Sequence, residues 1–276
     1  MTYDAKGPGG LDYFQCRYGK SKLLFRGPKR RLDAPFVAFY GGTETYGKFI
    51  KSPFPALVES RIGVNCVNFG IPNAGVDAFV RDEYAMAAGA GALATVVQVM
   101  GAQNLSNRLY SVHPRRNDRF VAASDLLTTI YRDVDFSEFH FTRHMLSRLY
   151  AVSPERFAAV QGELQAAWVA RMRSMIDKIQ GKTVLLWFAP DDVPQDVPPG
   201  QDPAQGREPL FITRPMLETL RSHVTQVVEV ATPDQDLGTD GMQFAPLEQA
   251  AAAQLPGPAA HGAVAAELSQ VLTRMV

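Results

Sequence analysis

Residues 34–49 read APFVAFYGGTETYGKF, and this stretch decides the fold. It begins with an apolar, aromatic run over residues 36–40 that has no helical period, which predicts a buried β-strand. Two glycines end the run in a tight turn, and the polar residues Thr43, Glu44 and Thr45 follow at once. A buried strand that ends in glycine and then presents polar side chains is typical of the carboxyl edge of an open α/β sheet, where ligands bind.

The same pattern recurs four times downstream. Each further strand candidate is rich in β-branched or aromatic residues and is followed by small or polar residues and a helical stretch. These candidates are residues 64–69 (VNCVNF), 94–100 (ATVVQVM), 184–189 (VLLWFA) and 225–230 (TQVVEV). The alternation predicts a three-layer α/β/α fold with a five-stranded parallel sheet. The predicted strand order is flavodoxin-like, 2-1-3-4-5, with right-handed crossovers.

The chain has 276 residues, enough for one sizeable core. We predict a basic, irregular N-terminal arm over residues 1–33 and a single α/β domain over residues 34–276. Residues 104–180 interrupt the alternation between the third and fourth strands and are predicted to form a helical insertion beside the carboxyl edge of the sheet. The insertion is predicted to begin with a long polar loop over residues 104–119 and to continue with helices at residues 120–131, 139–149 and 153–180.

Composition argues against several classes of protein. The net charge is zero and no run approaches twenty uninterrupted apolar residues, so neither nucleic-acid binding nor a membrane span is expected. Cys16 and Cys66 lack metal-ligand spacing, so we expect no disulfide framework, no metal site and no cofactor. The first ten residues, MTYDAKGPGG, contain no apolar core of a signal peptide, which predicts a cytoplasmic protein. Homo-oligomerisation stays open.

Polar groups that follow different strands converge in a parallel sheet, because all carboxyl ends lie at one edge. The candidates for that edge are Thr43, Gly70, Gln103, Asn104 and His261. A hydroxyl, a backbone N–H, a side-chain amide and an imidazole are the groups that acyl transfer uses as nucleophile, oxyanion donors and general base. The alternatives are structural: Thr43 caps the first helix, the glycine serves a turn, and His261 is an ordinary helical residue.

Four short motifs, in order, resemble those of the SGNH/GDSL hydrolase superfamily. They are Gly41-Gly42-Thr43-Glu44-Thr45, Asn68-Phe69-Gly70, Gly101-Ala102-Gln103-Asn104 and Pro258-Ala259-Ala260-His261. The resemblance covers residues 34–110 and 183–276 and implies an ester hydrolase or acyl-group transferase acting on a small or carbohydrate-linked ester. Thr43 stands where the family has its serine nucleophile. Pro258 stands where the family has the carboxylate that orients the histidine, and Asp234, Asp236 or Asp240 are candidate replacements.

The altered motifs support a second hypothesis, a catalytically silent domain of this fold that binds an anionic glycan or metabolite or scaffolds a partner. Residues 113–119 (HPRRNDR) favour anion recognition, since arginine offers a rigid fork for carboxylate or phosphate. A structural salt-bridge network is the alternative for these arginines. The candidate substrate-binding residues are Glu44, Thr45, Asn73, His113, Arg115, Arg116 and Arg119.

Overall fold

A computed structural model describes residues 10–197, 202–203, 205–232 and 238–276. The strands in these ranges are β1 (Phe36–Gly41), β2 (Asn65–Gly70), β3 (Ala94–Gln98), β4 (Tyr110–His113), β5 (Arg116–Ala123), β6 (Thr183–Ala189) and β7 (Gln226–Ala231). Five of them form one sheet in the order β2-β1-β3-β6-β7, and every neighbouring pair is parallel. The predicted α/β fold and its order 2-1-3-4-5 are confirmed.

The helices in the same ranges are α1 (Thr43–Tyr46), α2 (Phe54–Ile62), α3 (Val76–Val80), α4 (Glu83–Ala90), α5 (Asp125–Ile130), α6 (Thr142–Val152), α7 (Pro154–Ile179), α8 (Arg214–Arg221), α9 (Gln249–Ala252) and α10 (Pro258–Leu272). All six residues of β1 are buried. Val37 and Phe39 pack with α2 and α10, whereas Ala38 and Tyr40 join the core formed with α3, α4 and α7. The two-residue period of the strand therefore divides one apolar run between two helical layers.

The insertion over residues 104–180 is not wholly helical. β4 and β5 form an antiparallel hairpin where the sequence predicts a polar loop and the start of a helix at residue 120. In β5, Asn117 and Phe120 are buried while Arg116 and Val121 are exposed, so the strand buries only a few side chains and lacks the apolar run of the central strands. The expected helices follow as α5, α6 and α7.

The hairpin is anchored at the carboxyl edge of the sheet by Asn117. Its Oδ1 accepts hydrogen bonds from the backbone N–H groups of Gly75 and Ala78, both at 3.0 Å. Its Nδ2 donates to the carbonyl of His113 at 3.1 Å. Asn117 is 1% exposed, so a side chain from the insertion satisfies the first N–H groups around α3 and holds the hairpin beside the sheet.

The described part of the N-terminal arm packs on the domain. Tyr18 and Phe25 are buried, and both rings contact Phe69 of β2. Arg26 is also buried and donates to the carbonyls of four residues, Tyr46, Gly47, Ile50 and Lys51. At least one charge of the basic arm therefore stabilises the loop after α1. No helix among the described residues is long and apolar enough to cross a membrane.

Candidate active site

A small cavity opens where β1, β3 and β6 end at the carboxyl edge of the sheet. Its volume is about 50 Å³, room for one or two water-sized groups. The polar side chains that line it include Thr43, Glu44, Asn73, Gln103, Asn104 and Glu208. The structure thus brings together five residues that the sequence singled out, and it adds Glu208.

Thr43 is the first residue of α1, yet its hydroxyl does not cap the helix. The hydroxyl donates to Oδ1 of Asn73 at 3.2 Å and accepts from the backbone N–H of Asn73 at 3.0 Å. Asn73 has a left-handed backbone, with φ of 56°, and its carbonyl accepts from Nδ2 of Asn104 at 3.2 Å. The proton of Thr43 therefore faces an amide oxygen, which is not a base.

Gln98, the last residue of β3, organises the turn between β1 and α1. Its Oε1 accepts from Gly42 N at 3.1 Å, from Thr45 N at 3.2 Å and from the Thr45 hydroxyl at 2.5 Å. Its Nε2 donates to Oε2 of Glu44 at 2.8 Å. Thr45 therefore faces the interior and is absent from the cavity lining, unlike the substrate-binding role expected for it, while Glu44 is held at the cavity wall.

The surroundings of Glu44 raise the pKa of its carboxyl group. Burial raises its pKa, the hydrogen bond from Gln98 partly opposes that rise, and the negative charge of Glu208 adds to it. A carboxyl group that keeps its proton above the usual range is suited to donate that proton during a reaction.

Glu208 reaches the cavity from the segment that precedes α8. Its Oε1 accepts from Nε2 of Gln103 at 2.6 Å and from Arg143 at 2.7 Å, and its Oε2 accepts from Leu210 N at 3.1 Å. These contacts fix the orientation of the carboxylate. Nothing in the local sequence singled out Glu208, because it lies outside every motif and 164 positions beyond Glu44.

His261 lies outside the cavity. It is 1% exposed, its Nδ1 accepts from Phe54 N at 3.1 Å, and its ring lies between those of Phe54 and Phe188. Burial, assisted by the charge of Arg26, lowers its pKa to about 3. The expected pairing of His261 with Thr43 is not seen, because α10 turns the imidazole into its own contact with α2.

Gly70 likewise serves packing instead of the expected oxyanion contact. Its N–H donates to Oδ1 of Asn68 at 2.8 Å. A Cβ at this position would lie 2.2 Å from the backbone nitrogen of Tyr46. Glycine is required because α1 approaches β2 here, and the residue does not line the cavity.

Replacing His261 with alanine should destabilise the protein and leave activity per folded molecule within about a factor of three. The change leaves the Phe54 N–H buried without an acceptor, which costs about 1–3 kcal/mol. It should also change the pH dependence of stability. Because the folded pKa is depressed, the wild type loses stability as pH falls from 6.5 towards about 3. The melting temperatures of the two proteins should therefore converge as the pH is lowered from 7.5 to 5. A variant that is fully folded but has lost its activity would contradict the structure.

The arginine-rich hairpin does not line the cavity either. His113 Nδ1 accepts from Arg115 N at 3.2 Å, and the side chains of Arg115 and Arg116 are exposed. The guanidinium of Arg119 lies 4.1 Å from the ring centroid of Phe141. The hairpin therefore offers exposed cations at its tip, and anion recognition inside the cavity has no support from these side chains.

The remaining candidates do not complete a triad or a metal centre. Asp240 is exposed, and Asp234 and Asp236 lie outside the described residues. Among the residues that the structure describes, no group of three or more His, Cys, Asp or Glu side chains is arranged to hold a metal ion.

The chain belongs to a family defined as a domain of unknown function, DUF6473, whose model matches residues 1–276. No protein of curated function is significantly similar in sequence. Among solved structures, the chain is similar to a lipase from goat rumen metagenome, with 10% identity, a TM-score of 0.44 and coverage of 88% of this chain and 98% of the lipase. It is also similar to a gut microbial diltiazem-metabolizing enzyme, with 10% identity, a TM-score of 0.41 and coverage of 86% of this chain and 46% of that one.

Proposed function

We propose that this chain is a hydrolase of small or carbohydrate-linked esters that uses Glu44 and Glu208 as an acid–base pair. The observation that carries the proposal is that two carboxyl groups face one cavity in contrasting environments. Burial raises the pKa of Glu44, whereas Glu208 accepts hydrogen bonds from Gln103 and Arg143. Carboxyl pairs whose surroundings differ in this way suit general acid–base catalysis.

In the proposed reaction a water molecule attacks the carbonyl carbon of the ester. Glu208 takes a proton from that water as the new C–O bond forms, and Glu44 gives its proton to the oxygen of the leaving alcohol as the old C–O bond breaks. A proton then passes from Glu208 to Glu44 through solvent, which restores the starting state. A cavity of about 50 Å³ admits the reacting group and a water molecule, so the rest of the substrate lies outside it.

Thr43 binds substrate in this scheme and is not the nucleophile. Its hydroxyl lacks a neighbouring base, since both of its hydrogen bonds go to Asn73. The arrangement fits a divergent SGNH-like domain in which a carboxyl pair has replaced the serine–histidine couple.

The proposal is tested by assaying the purified chain on short aryl acetates and partially acetylated sugars. We expect turnover that obeys saturation kinetics and disappears in the double variant Glu44→Gln, Glu208→Gln. The second candidate, a catalytically silent binding domain, is favoured by the burial of His261 away from Thr43. That candidate predicts no turnover of any ester in the panel, together with thermal stabilisation by a sugar or metabolite.

A further inference from the structure

A second cavity, which we call the arm cavity, lies between the N-terminal arm and the sheet edge formed by β2. Its volume is about 320 Å³, within the range of small-molecule sites, whereas the cavity at the carboxyl edge measures about 50 Å³. The arm contributes residues within 11–30, the start of α2 and the loop before it contribute residues within 51–56, and β2 contributes Cys66 and Asn68. The packing of the arm on the domain therefore creates this cavity.

Most of the wall of the arm cavity is apolar. The apolar side chains that line it are Leu11, Phe14, Pro28, Pro53, Pro55, Ala56 and Cys66. Phe14 is 63% exposed, and its backbone is left-handed with φ of 46°, which is uncommon for a bulky residue. Exposed residues with backbone strain concentrate where proteins hold ligands. The wall therefore suits a ligand with an apolar body.

Arg26 places a positive charge at this cavity without an acidic partner. It is 5% exposed, and its guanidinium donates to backbone carbonyls of residues 46, 47, 50 and 51. No carboxylate among the described residues forms an ion pair with it. Buried charges are usually offset by an opposite charge. An anion in the cavity would offset the charge of Arg26 through the electric field, without a hydrogen bond to it.

The other charges of the lining leave positive charge in excess. Lys51 is exposed, also has no ion pair with a described residue, and its carbonyl accepts from Arg26 at 3.2 Å. Arg30 also lines the cavity, but its charge is offset by Glu59. Asp12 is the single acid among the described residues of the lining, and its Oδ1 accepts from Phe14 N at 2.9 Å. The cavity thus favours an anionic head group beside Lys51 and Arg26.

We propose that the arm cavity binds a carboxylic acid with an apolar body, such as a fatty acid. The carboxylate lies towards Lys51 and Arg26, and the apolar body packs against Phe14 and the prolines of the wall. This site is separate from the carboxyl edge of the sheet and does not depend on the proposed hydrolase function. It gives the basic N-terminal arm a role in ligand binding.

Isothermal titration calorimetry of the purified full chain tests the proposal with three probes: octanoate, 1-octanol and acetate. Octanoate should bind at least about tenfold more tightly than 1-octanol, which has the same chain length without the charge. Acetate, which has the charge without the apolar body, should show no measurable binding.

Two variants with matched controls locate the site. Ala56→Phe fills the cavity from an exposed position and should weaken octanoate binding at least about tenfold, whereas Ser60→Phe, one turn further along α2 and outside the cavity, should not. Lys51→Met should weaken binding about threefold to fivefold, as loss of one exposed ion pair does. Lys22→Met removes an exposed charge of the arm outside the cavity and should leave the affinity unchanged.

Four outcomes overturn the proposal. Absence of octanoate binding, or equal affinity for octanoate and 1-octanol, shows that the cavity does not select a carboxylate. Undiminished binding in Ala56→Phe places octanoate elsewhere on the protein. Equal effects of Lys51→Met and Lys22→Met show that octanoate is attracted to the basic arm in general and not held in the cavity.

Discussion

Glu208→Gln should lower kcat/KM for ester hydrolysis about a thousandfold, within the range that a positioned general base contributes. Glutamine has the same size and keeps one oxygen, which can accept from Arg143, but its amide nitrogen replaces the oxygen that accepts from Leu210 N, and it does not take a proton from water. Melting temperature should change little, because the Arg143–Glu208 ion pair is partly exposed and such pairs contribute about 1 kcal/mol or less. Steady-state kinetics and thermal melts of the same preparation provide the measurement.

Arg143→Gln is the matched control for Glu208→Gln. It breaks the same ion pair while leaving the carboxylate in place, so it separates loss of the base from loss of the contact. We expect a decrease of about tenfold or less, consistent with a change in orientation alone. If both variants lose activity equally, or if Glu208→Gln keeps more than about a tenth of wild-type activity, Glu208 is not the base.

Much of the sheet could be predicted from sequence because buried parallel strands are uniform apolar runs. The order of strands was predicted from the alternation of five buried strands with helical crossovers, which are right-handed in such sheets. Thr43, Asn73 and Asn104 were found because each follows a strand closely, and the ends of parallel strands meet at one edge. The β4–β5 hairpin was missed because its strands are polar and buried on few positions, so no apolar run marks them.

The differences between the expected and the observed contacts of the site residues have a different origin. Sequence places His261 at the start of the last helix, yet the direction of its side chain depends on how α10 packs against α2. Glu208 enters the cavity through tertiary contacts with Gln103 and Arg143, which lie far from it in the chain. Motif spacing predicts which backbone segments meet, whereas the partner of each side chain depends on packing between distant elements.

The contrast between the two carboxyl groups has a consequence for stability as well as for catalysis. Glu44 has a folded pKa above its ordinary value of 4.5, so between those two values the folded state binds more protons than the unfolded state. The stability of the wild type therefore falls as pH rises through that window and stays reduced above it. Glutamine is uncharged at every pH and resembles the protonated acid in shape.

Glu44→Gln should therefore lower kcat/KM about a hundredfold or more, because the variant has no acid proton to give to the leaving alcohol. The same variant should melt at a higher temperature than wild type at pH 7.5, and the difference should vanish near pH 4, where the wild-type group is protonated in both states. Wild-type activity should fall at alkaline pH as Glu44 loses its proton, and the residual activity of the variant should not show this decrease.

Glu83→Gln replaces an exposed glutamate at the start of α4 and is the control. It should change neither the pH dependence of activity nor that of the melting temperature. A Glu44→Gln protein that is less stable than wild type at pH 7.5, or one that keeps full activity, would show that Glu44 is an ordinary ionised carboxylate and that the acid of the proposed pair lies elsewhere.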